Sequence, residues 1–186
     1  MTTRFRTAGP ALAAAFVLTS CTPDAARISA PEAALRSSDT YGAVLLECPN
    51  ATVRSASAVI GSTGGSVQLD NHRLNVPAGA VKGRKRTFTL TVPASNYMDV
   101  EIRADGQEHF TFDAPVSVTI DYSRCTRQNI LKDDLHIFHI DPVTKEILDD
   151  MGGVDDKTAT VVTTGTDHLS GYAIGQGRTD TIPSGT

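Results

Sequence analysis

Three side chains of the kind used by nucleophilic hydrolases occur together late in the chain. Asp167, His168 and Ser170 offer the carboxylate, imidazole and hydroxyl that such enzymes combine in a catalytic triad. On a β-strand, His168 and Ser170 would share one face, whereas Asp167 would point to the opposite face. The chain has no G-x-S-x-G elbow that would favour a lipase or esterase. We therefore predict that these three residues do not form a local triad, and that the protein is not an enzyme acting on an external substrate.

Two further groups have only part of the spacing that a metal site needs. His136 and His139 flank Ile137-Phe138 in a run that predicts a strand, where they point to opposite faces and cannot share one ion. Four carboxylates around Gly152-Gly153 could offer hard oxygens to Ca²⁺, but they lack the D-x-D-x-D-G order of a dedicated calcium loop: Asp149, Asp150, Asp155 and Asp156. A polar hairpin loop is the favoured interpretation, and we predict no metal and no other cofactor.

A short cationic run stands out in a chain that is acidic as a whole. The chain has 17 Lys and Arg against 21 Asp and Glu, a formal charge of −4, which argues against a nucleic-acid partner. Contact with anionic lipid or envelope polysaccharide is one interpretation of the run, at ~1 kcal/mol for each charge. A solvated hairpin loop is the favoured alternative. The four cations are Lys82, Arg84, Lys85 and Arg86.

The first twenty residues have the features of an export signal. Arg4 and Arg6 precede an apolar run over residues 8–18, which as a helix would span about 16 Å, roughly half of a bilayer core. The run ends in Leu18-Thr19-Ser20-Cys21, which resembles the bacterial lipobox. That resemblance implies a diacylglyceryl group on Cys21 and cleavage just before it. The alternative is an ordinary secretory signal, which would leave Cys21 as a free thiol.

The resemblance predicts a protein anchored to the membrane through lipid and facing the cell envelope. Thr22 stands where an Asp would signal retention in the inner membrane, so the outer membrane or cell surface is favoured. Residues 1–20 are then a signal peptide, 21–40 a flexible tether rich in Ala, Ser and Pro, 41–175 the folded domain and 176–186 a disordered tail.

Two cysteines, Cys48 and Cys125, remain in the folded part. In an oxidising compartment such a pair most often forms a disulfide, and closing this long loop should stabilise the fold by roughly 4 kcal/mol. The alternative is two buried free thiols. No C-x-x-C spacing indicates a redox motif or a zinc site.

The elements between these residues have a period of two. Phe88, Leu90 and Val92 alternate with threonines, and Val116, Val118 and Ile120 alternate with polar residues, which is typical of half-buried antiparallel strands. We predict an all-β fold, a single antiparallel β-sandwich or partly open barrel of about eight to ten short strands. Further predicted strands are 67–69, 73–76, 98–104, 135–140 and 158–163.

The turn at Asp105-Gly106 produces a conflict. A two-residue hairpin there would pair Ile102 with His109, and would put Phe110 on the face of Glu101, away from the apolar side chains of its partner strand. A longer loop or a β-bulge would restore the match, and the sequence does not choose between them.

Several short motifs resemble a known β-sandwich family. Gly64-Gly65-Ser66-Val67-Gln68-Leu69 with the run 74–81, and later Phe112-Asp113-Ala114-Pro115-Val116, are similar in order and spacing to the ZU-five domain of ankyrins, netrin receptors and zonula occludens proteins. The resemblance spans nearly all of residues 58–174. It implies a non-enzymatic structural or interaction module, with an envelope protein or polysaccharide as partner. It makes no prediction of oligomeric state.

The same resemblance supplies an alternative function. Asp167-His168-Leu169-Ser170-Gly171-Tyr172 is similar to the family's closing His-Phe-Ser segment, which in some members cuts its own chain between its last two residues. This implies cleavage between Leu169 and Ser170, with Ser170 as nucleophile and His168 as base. Leu169 replaces the family's Phe, and we favour a closing strand with a purely structural role.

Overall fold

The alternation of apolar and polar residues produces β-strands throughout the folded part of the chain. A computed structural model describes residues 43–125 and 134–177. These two ranges contain fourteen strands and no helix, which confirms the predicted all-β fold. The number exceeds the eight to ten predicted because five strands are only two to four residues long. The strands are β1 (Val44–Leu45), β2 (Glu47–Asn50), β3 (Arg54–Ile60), β4 (Gly65–Leu69), β5 (His72–Val76), β6 (Arg86–Val92), β7 (Ser95–Tyr97), β8 (Asp99–Ala104), β9 (Thr111–Asp121), β10 (Leu135–Ile140), β11 (Ile147–Asp150), β12 (Val154–Asp156), β13 (Val161–His168) and β14 (Gly171–Gln176).

The predictions for the two ends of the chain fall mostly beyond the described residues. The signal peptide 1–20, the lipidated Cys21 and the tether 21–40 all lie outside them. Gln176, predicted to begin the tail, instead ends β14, and residues 178–186 lie outside the described ranges. Within those ranges no helix has the length and apolar character needed to cross a membrane.

Two antiparallel sheets form the layers of the fold. The larger has the order β11-β10-β14-β8-β6-β3, with β1 pairing to the end of β14, and the smaller has the order β12-β13-β9-β5-β4. A separate ladder joins β2 to β7. The inward side chains of the larger sheet and of the smaller sheet belong to one apolar core, which identifies the fold as a sandwich.

The core follows from the period-two pattern. Phe88, Leu90 and Val92 of β6 are fully buried, and the threonines between them point away from the core. Val116, Val118 and Ile120 of β9, in the smaller sheet, are likewise buried in this core. Burial of each large apolar side chain stabilises the fold by ~1.5–3 kcal/mol.

The conflict at Asp105-Gly106 is resolved by a change of sheet, neither by a longer loop nor by a bulge. Both turn residues have positive φ, 52° and 80°, as a two-residue hairpin turn of this kind requires. Ala104 and Gln107 exchange backbone hydrogen bonds of 3.0 and 2.9 Å around the turn. The pairing goes no further, because β9 lies in the other sheet, between β5 and β13. Phe110 therefore never has to match the faces of β8, and it packs on Phe112 instead.

One strand prediction needs correction, and the seven-residue strand β3 was missed. The strand expected at 158–163 begins only at Val161, because residues 157–160 form a turn in which Thr160 has a φ of 56°. Strand β3 was not predicted, because alanines occupy inward positions that large apolar residues usually mark. Its seven-residue ladder with β6 nevertheless makes it the edge of the larger sheet.

The predicted disulfide between Cys48 and Cys125 is confirmed. It joins β2 to the turn after β9, with Cα atoms 4.8 Å apart and a sequence separation of 77 residues. The guanidinium of Arg124 donates hydrogen bonds to the carbonyls of Cys48 (2.6 Å) and Pro49 (3.1 Å). A covalent bond and a charged side chain therefore hold the same short strand against the end of β9.

A second apolar cluster lies on the outer face of the larger sheet. Strands β10 and β14 contribute to it with side chains that alternate with those of the main core, and Ile147 of β11 and Ala43, just before β1, complete it from the same sheet. Asp99 of β8 pairs with Ala173 in the ladder and is buried on this face. The cluster consists of Ala43, Phe138, Ile140, Ile147 and Ala173, with Leu45 beside it.

Candidate functional site

Ser170 lies in the short link between β13 and β14, and its hydroxyl contacts a histidine of a neighbouring strand. The Nε2 atom of His139 in β10 is 2.7 Å from the Ser170 Oγ. The ladder between β10 and β14 places the two residues together, because His139 pairs with Tyr172 and Ile140 with Gly171. The predicted base, His168, is not the residue that contacts Ser170; that position belongs to His139, thirty-one residues away in sequence.

His168 instead pairs with the residue before it. Its Nδ1 is 3.0 Å from the Asp167 carboxylate. The prediction that Asp167 faces away from His168 is therefore wrong, because the register of β13 shifts between Thr166 and His168 and breaks the strict alternation. The His168 ring lies edge-on to the His139 ring, with centroids 5.0 Å apart. Asp167, His168 and Ser170 thus lie near each other, but the contacts do not form a triad.

The surroundings of His139 favour its neutral form. Burial lowers the pKa of His139, and the neighbouring His168 lowers it further. A neutral imidazole can accept the proton of the Ser170 hydroxyl. Nearby, the Tyr172 hydroxyl donates a hydrogen bond to the His168 carbonyl, and burial raises the pKa of Tyr172 to about 12. The Ser170 hydroxyl therefore has a base in contact, within a mostly buried setting.

The cationic run is largely neutralised by carboxylates from other turns. Arg84 and Arg86 both contact Asp105, at 3.3 and 2.9 Å, and Lys82 contacts Asp113 at 2.9 Å. A hydrogen bond from the Thr87 backbone N–H, together with Arg86, lowers the pKa of Asp105. Lys82 likewise lowers the pKa of Asp113. Contact of the run with an anionic surface stays a prediction, and such contact would compete with these ion pairs. Lys85 makes no ion pair in the described ranges.

The histidine and acidic groups that resembled metal sites have separate structural partners. His136 contacts the Asp150 carboxylate at 3.0 Å, on the face opposite to His139. Asp155 accepts a hydrogen bond of 2.7 Å from the buried Tyr122 hydroxyl and another from the Leu135 backbone. Burial, followed by the Asp155 contact, raises the pKa of Tyr122. In the described ranges, no three His, Cys, Asp or Glu side chains are grouped to hold a metal ion.

The outer face of the smaller sheet carries rows of polar side chains. One row crosses four strands as Gln68, Arg73, Thr119 and Thr163, in ladder register. Within this row, the Arg73 guanidinium donates to the Gln68 amide oxygen at 2.7 Å, and the two threonine hydroxyls are 2.9 Å apart. The next row is Ser66, Asn75, Ser117 and Gly165. We call these eight residues the polar face.

An open groove of about 390 Å³ overlaps one end of the polar face. It is lined by Gln68, Asn71, Arg73, Thr119, Ala159 and Val161. Arg73 has no carboxylate partner among the described residues, so its charge is not compensated as those of Arg84 and Arg86 are. The groove therefore presents one cation beside two amides and one hydroxyl, with Ala159 and Val161 as its apolar part, an arrangement suited to an acidic ligand that also has apolar surface.

Sequence reasoning missed both the base beside Ser170 and the polar face. The alternation within β5 and β9 indicates that Arg73 and Thr119 point outward, but only the strand register brings them into one row. His139 was correctly separated from His136, but its partner Ser170 lies three strands further along the chain, after β13.

Comparison with known proteins finds no relative from which a function could be transferred. No protein-family model matches the chain. No curated protein matches it either. The lipobox and ZU-five resemblances therefore rest on the quoted motifs alone, and function has to be argued from the geometry of the sites.

Proposed function

We propose that this chain is an exported lipoprotein, anchored through Cys21, whose ZU-five-like sandwich is a non-enzymatic binding module at the cell envelope. The Cys48–Cys125 disulfide supports export, because such bonds persist in oxidising compartments. The motif at residues 18–21 supports the lipid anchor. The outer membrane or cell surface is the proposed location.

The single observation that carries the binding function is the polar face. Its outward side chains are hydroxyls, amides and one uncompensated guanidinium, without a large apolar side chain among the eight. Hydroxyl and amide groups exchange hydrogen bonds with sugars, and a guanidinium binds carboxylates in a bidentate manner. The proposed ligand is therefore an envelope polysaccharide that carries carboxylate groups.

Binding of the mature protein to a purified, carboxylate-bearing envelope polysaccharide tests this proposal. Arg73→Ala should weaken binding by about tenfold, because a hydrogen bond to a charged group is lost. Arg103→Ala is the matched control, since Arg103 lies on the other sheet and pairs with Glu101 and Glu108. Equal loss in the two variants would contradict a site on the polar face. So would binding that depends only on the cations of residues 82–86.

The anchor is tested separately by metabolic labelling with palmitate. The wild-type chain should incorporate label and fractionate with membranes, whereas Cys21→Ser should do neither. An unlabelled wild-type chain would contradict the anchor while leaving polysaccharide binding open to its own test.

Self-cleavage between Leu169 and Ser170 is a second candidate, favoured by the contact between Ser170 and His139. The Ser170 Oγ would attack the Leu169 carbonyl carbon while His139 takes the hydroxyl proton; His139 would return that proton to the Ser170 nitrogen, the C–N bond would break, and the nitrogen would become a free amine. Water would then hydrolyse the resulting ester. His139 replaces His168 as the proposed base.

Mass spectrometry under denaturing conditions tests self-cleavage. Denaturation is needed because β14 pairs with β10, β8 and β1, so a released carboxyl-terminal piece would stay bound in the folded state. Ser170→Ala and His139→Gln should abolish a break before residue 170, and His168→Gln should leave it. An unbroken wild-type chain after long incubation contradicts this candidate.

A further inference from the structure

An amine and a carboxylate are in direct contact on the outer face of the larger sheet. The Lys145 Nζ, from the hairpin between β10 and β11, is 2.6 Å from the Asp99 Oδ2. The Asp99 side chain is 1% exposed and that of Lys145 is 20% exposed. The pair therefore has little access to water, and neither the binding function nor self-cleavage uses it.

The environment of this pair is unusual for two opposite charges. Asp99 lies beside Ala173, a member of the second apolar cluster, and Lys145 lies in the hairpin that carries Ile140 and Ile147 of that cluster. The other carboxylate oxygen, Asp99 Oδ1, is buried and has no hydrogen-bond partner in the described part of the chain. A buried carboxylate normally has all its oxygens satisfied, so an unpaired one calls for an explanation.

The hairpin holds Lys145 in one position. The Asp141 carboxylate accepts hydrogen bonds from the backbone N–H groups of Val143 and Thr144, and the Asp141 carbonyl accepts one of 3.0 Å from the Lys145 N–H. Lys145 itself has a φ of 61°, a left-handed conformation that a non-glycine residue seldom adopts. The amine is thus directed at Asp99 by a fixed backbone, which is what a reaction between two groups requires.

We infer that Asp99 and Lys145 are a modification site, where the two side chains join spontaneously in an intramolecular isopeptide bond. The ammonium gives one proton to the carboxylate, which leaves a neutral amine and a neutral acid. The Nζ lone pair forms a bond to Cγ, a second Nζ proton moves to the departing oxygen, and the C–O bond breaks. One water leaves, and the amide keeps one Nζ hydrogen and no charge.

The reaction removes the features that make the pair unfavourable. Two buried charges become a neutral amide, which removes the desolvation penalty of the ion pair. The proton passes to Oδ2, which the amine contacts, so Oδ2 departs as water and Oδ1 remains as the oxygen of a neutral amide, for which burial without a partner costs less than for a carboxylate oxygen. No oxidant, metal or other reactant is needed.

Peptide mapping of the purified full-length protein, reduced and digested with trypsin, tests this inference. We expect a branched product joining residues 87–103 to residues 133–157, lighter by one water than the two peptides together, with no cleavage after Lys145. Lys145→Arg is the matched control, because a guanidinium keeps the ion pair but does not form the amide. Trypsin should cleave that variant after position 145, giving residues 87–103, 133–145 and 146–157 as three separate peptides.

Three results would overturn the inference. The first is quantitative cleavage after Lys145 in the folded wild-type protein. The second is a loss of water that maps to Asp105-Gly106, where a cyclic imide would give the same change in mass. The third is a branched product that persists in Lys145→Arg. Asp99→Ala gives an independent check, and peptide mapping reads it even if the variant folds poorly.

Discussion

The two outer faces of the sandwich differ in what covers them. We call the outer face of the larger sheet the covered face, because its second apolar cluster and Asp99 are buried; Lys145, in the hairpin between β10 and β11, contacts Asp99. On the smaller sheet, the polar face has hydroxyl, amide and guanidinium groups that remain partly or fully exposed. Both faces belong to antiparallel sheets with the same inner core, so the difference lies in which residues occupy the outward positions.

This difference suggests that the covered face contributes mainly to the stability of the fold and the polar face mainly to ligand binding. The covered face contains fully buried side chains, whose removal should leave cavities. The polar face contributes little buried apolar area, and its residues are available to a ligand. The three predictions that follow test this division, from the largest expected effect to the smallest.

Removal of Phe138 from the covered face should have the largest effect. Phe138 is 0% exposed in the second cluster, so Phe138→Ala should lower the free energy of unfolding by about 3–5 kcal/mol. Chemical denaturation measures the change. Val154→Ala is the control on the smaller sheet, since Val154 is 74% exposed, and it should change stability by less than about 0.5 kcal/mol. Similar losses in both variants would remove the distinction between the faces.

Acidification should destabilise the smaller sheet through His72. Burial lowers the pKa of His72, whose Nδ1 accepts a hydrogen bond from the Asp121 backbone N–H. The unfolded chain therefore binds more protons, so this stability is complete above about pH 6.5 and is lost as pH falls below it, by at most about 1.4 kcal/mol per pH unit. His72→Asn keeps an acceptor without titrating at these pH values. Unfolding free energies from pH 7 to pH 5 should therefore fall less steeply in His72→Asn than in wild type, and equal slopes would contradict this role.

Removal of the carboxylate that pairs with Arg84 and Arg86 should have the smallest effect on stability, but it should measurably increase binding to anionic surfaces. Asn tolerates the left-handed backbone at position 105 and keeps an acceptor for the Thr87 N–H, so Asp105→Asn should fold normally. It frees Arg84 and Arg86, and it should increase sedimentation with anionic vesicles in low salt. Unchanged sedimentation would mean that the pairs with Asp105 do not limit contact with anionic surfaces.

The sequence predicted those parts of the molecule that depend on local pattern. Strand β10 has the predicted bounds 135–140, and Phe88, Leu90 and Val92 are buried as their alternation requires. The disulfide followed from compartment and number of cysteines rather than from geometry. The change of sheet after Asp105-Gly106 was not predictable, because a local turn does not specify which strand comes next to it.

The contacts between strands that are distant in the sequence could not be predicted from the sequence. The partner of Ser170 depends on the ladder between β10 and β14, and the bulge before His168 changes which neighbours its ring meets. In the same way, Arg84 and Arg86 appeared as free charges because Asp105 comes only after β6, β7 and β8 in the chain. Register, rather than residue type, decided each of these outcomes.

The pairing of β1 with β14 has a consequence for how the protein is made. Val44 and Leu45, the first described strand, form a ladder with Gly175 and Gln176 of the last, so the larger sheet cannot be completed until nearly the whole chain has been synthesised. Folds that depend on such distant pairs form slowly. If the chain is exported amino terminus first, as proposed, it would therefore still be unfolded during translocation. Cys21 would then reach the acylating enzyme before the β-sandwich that follows it has folded.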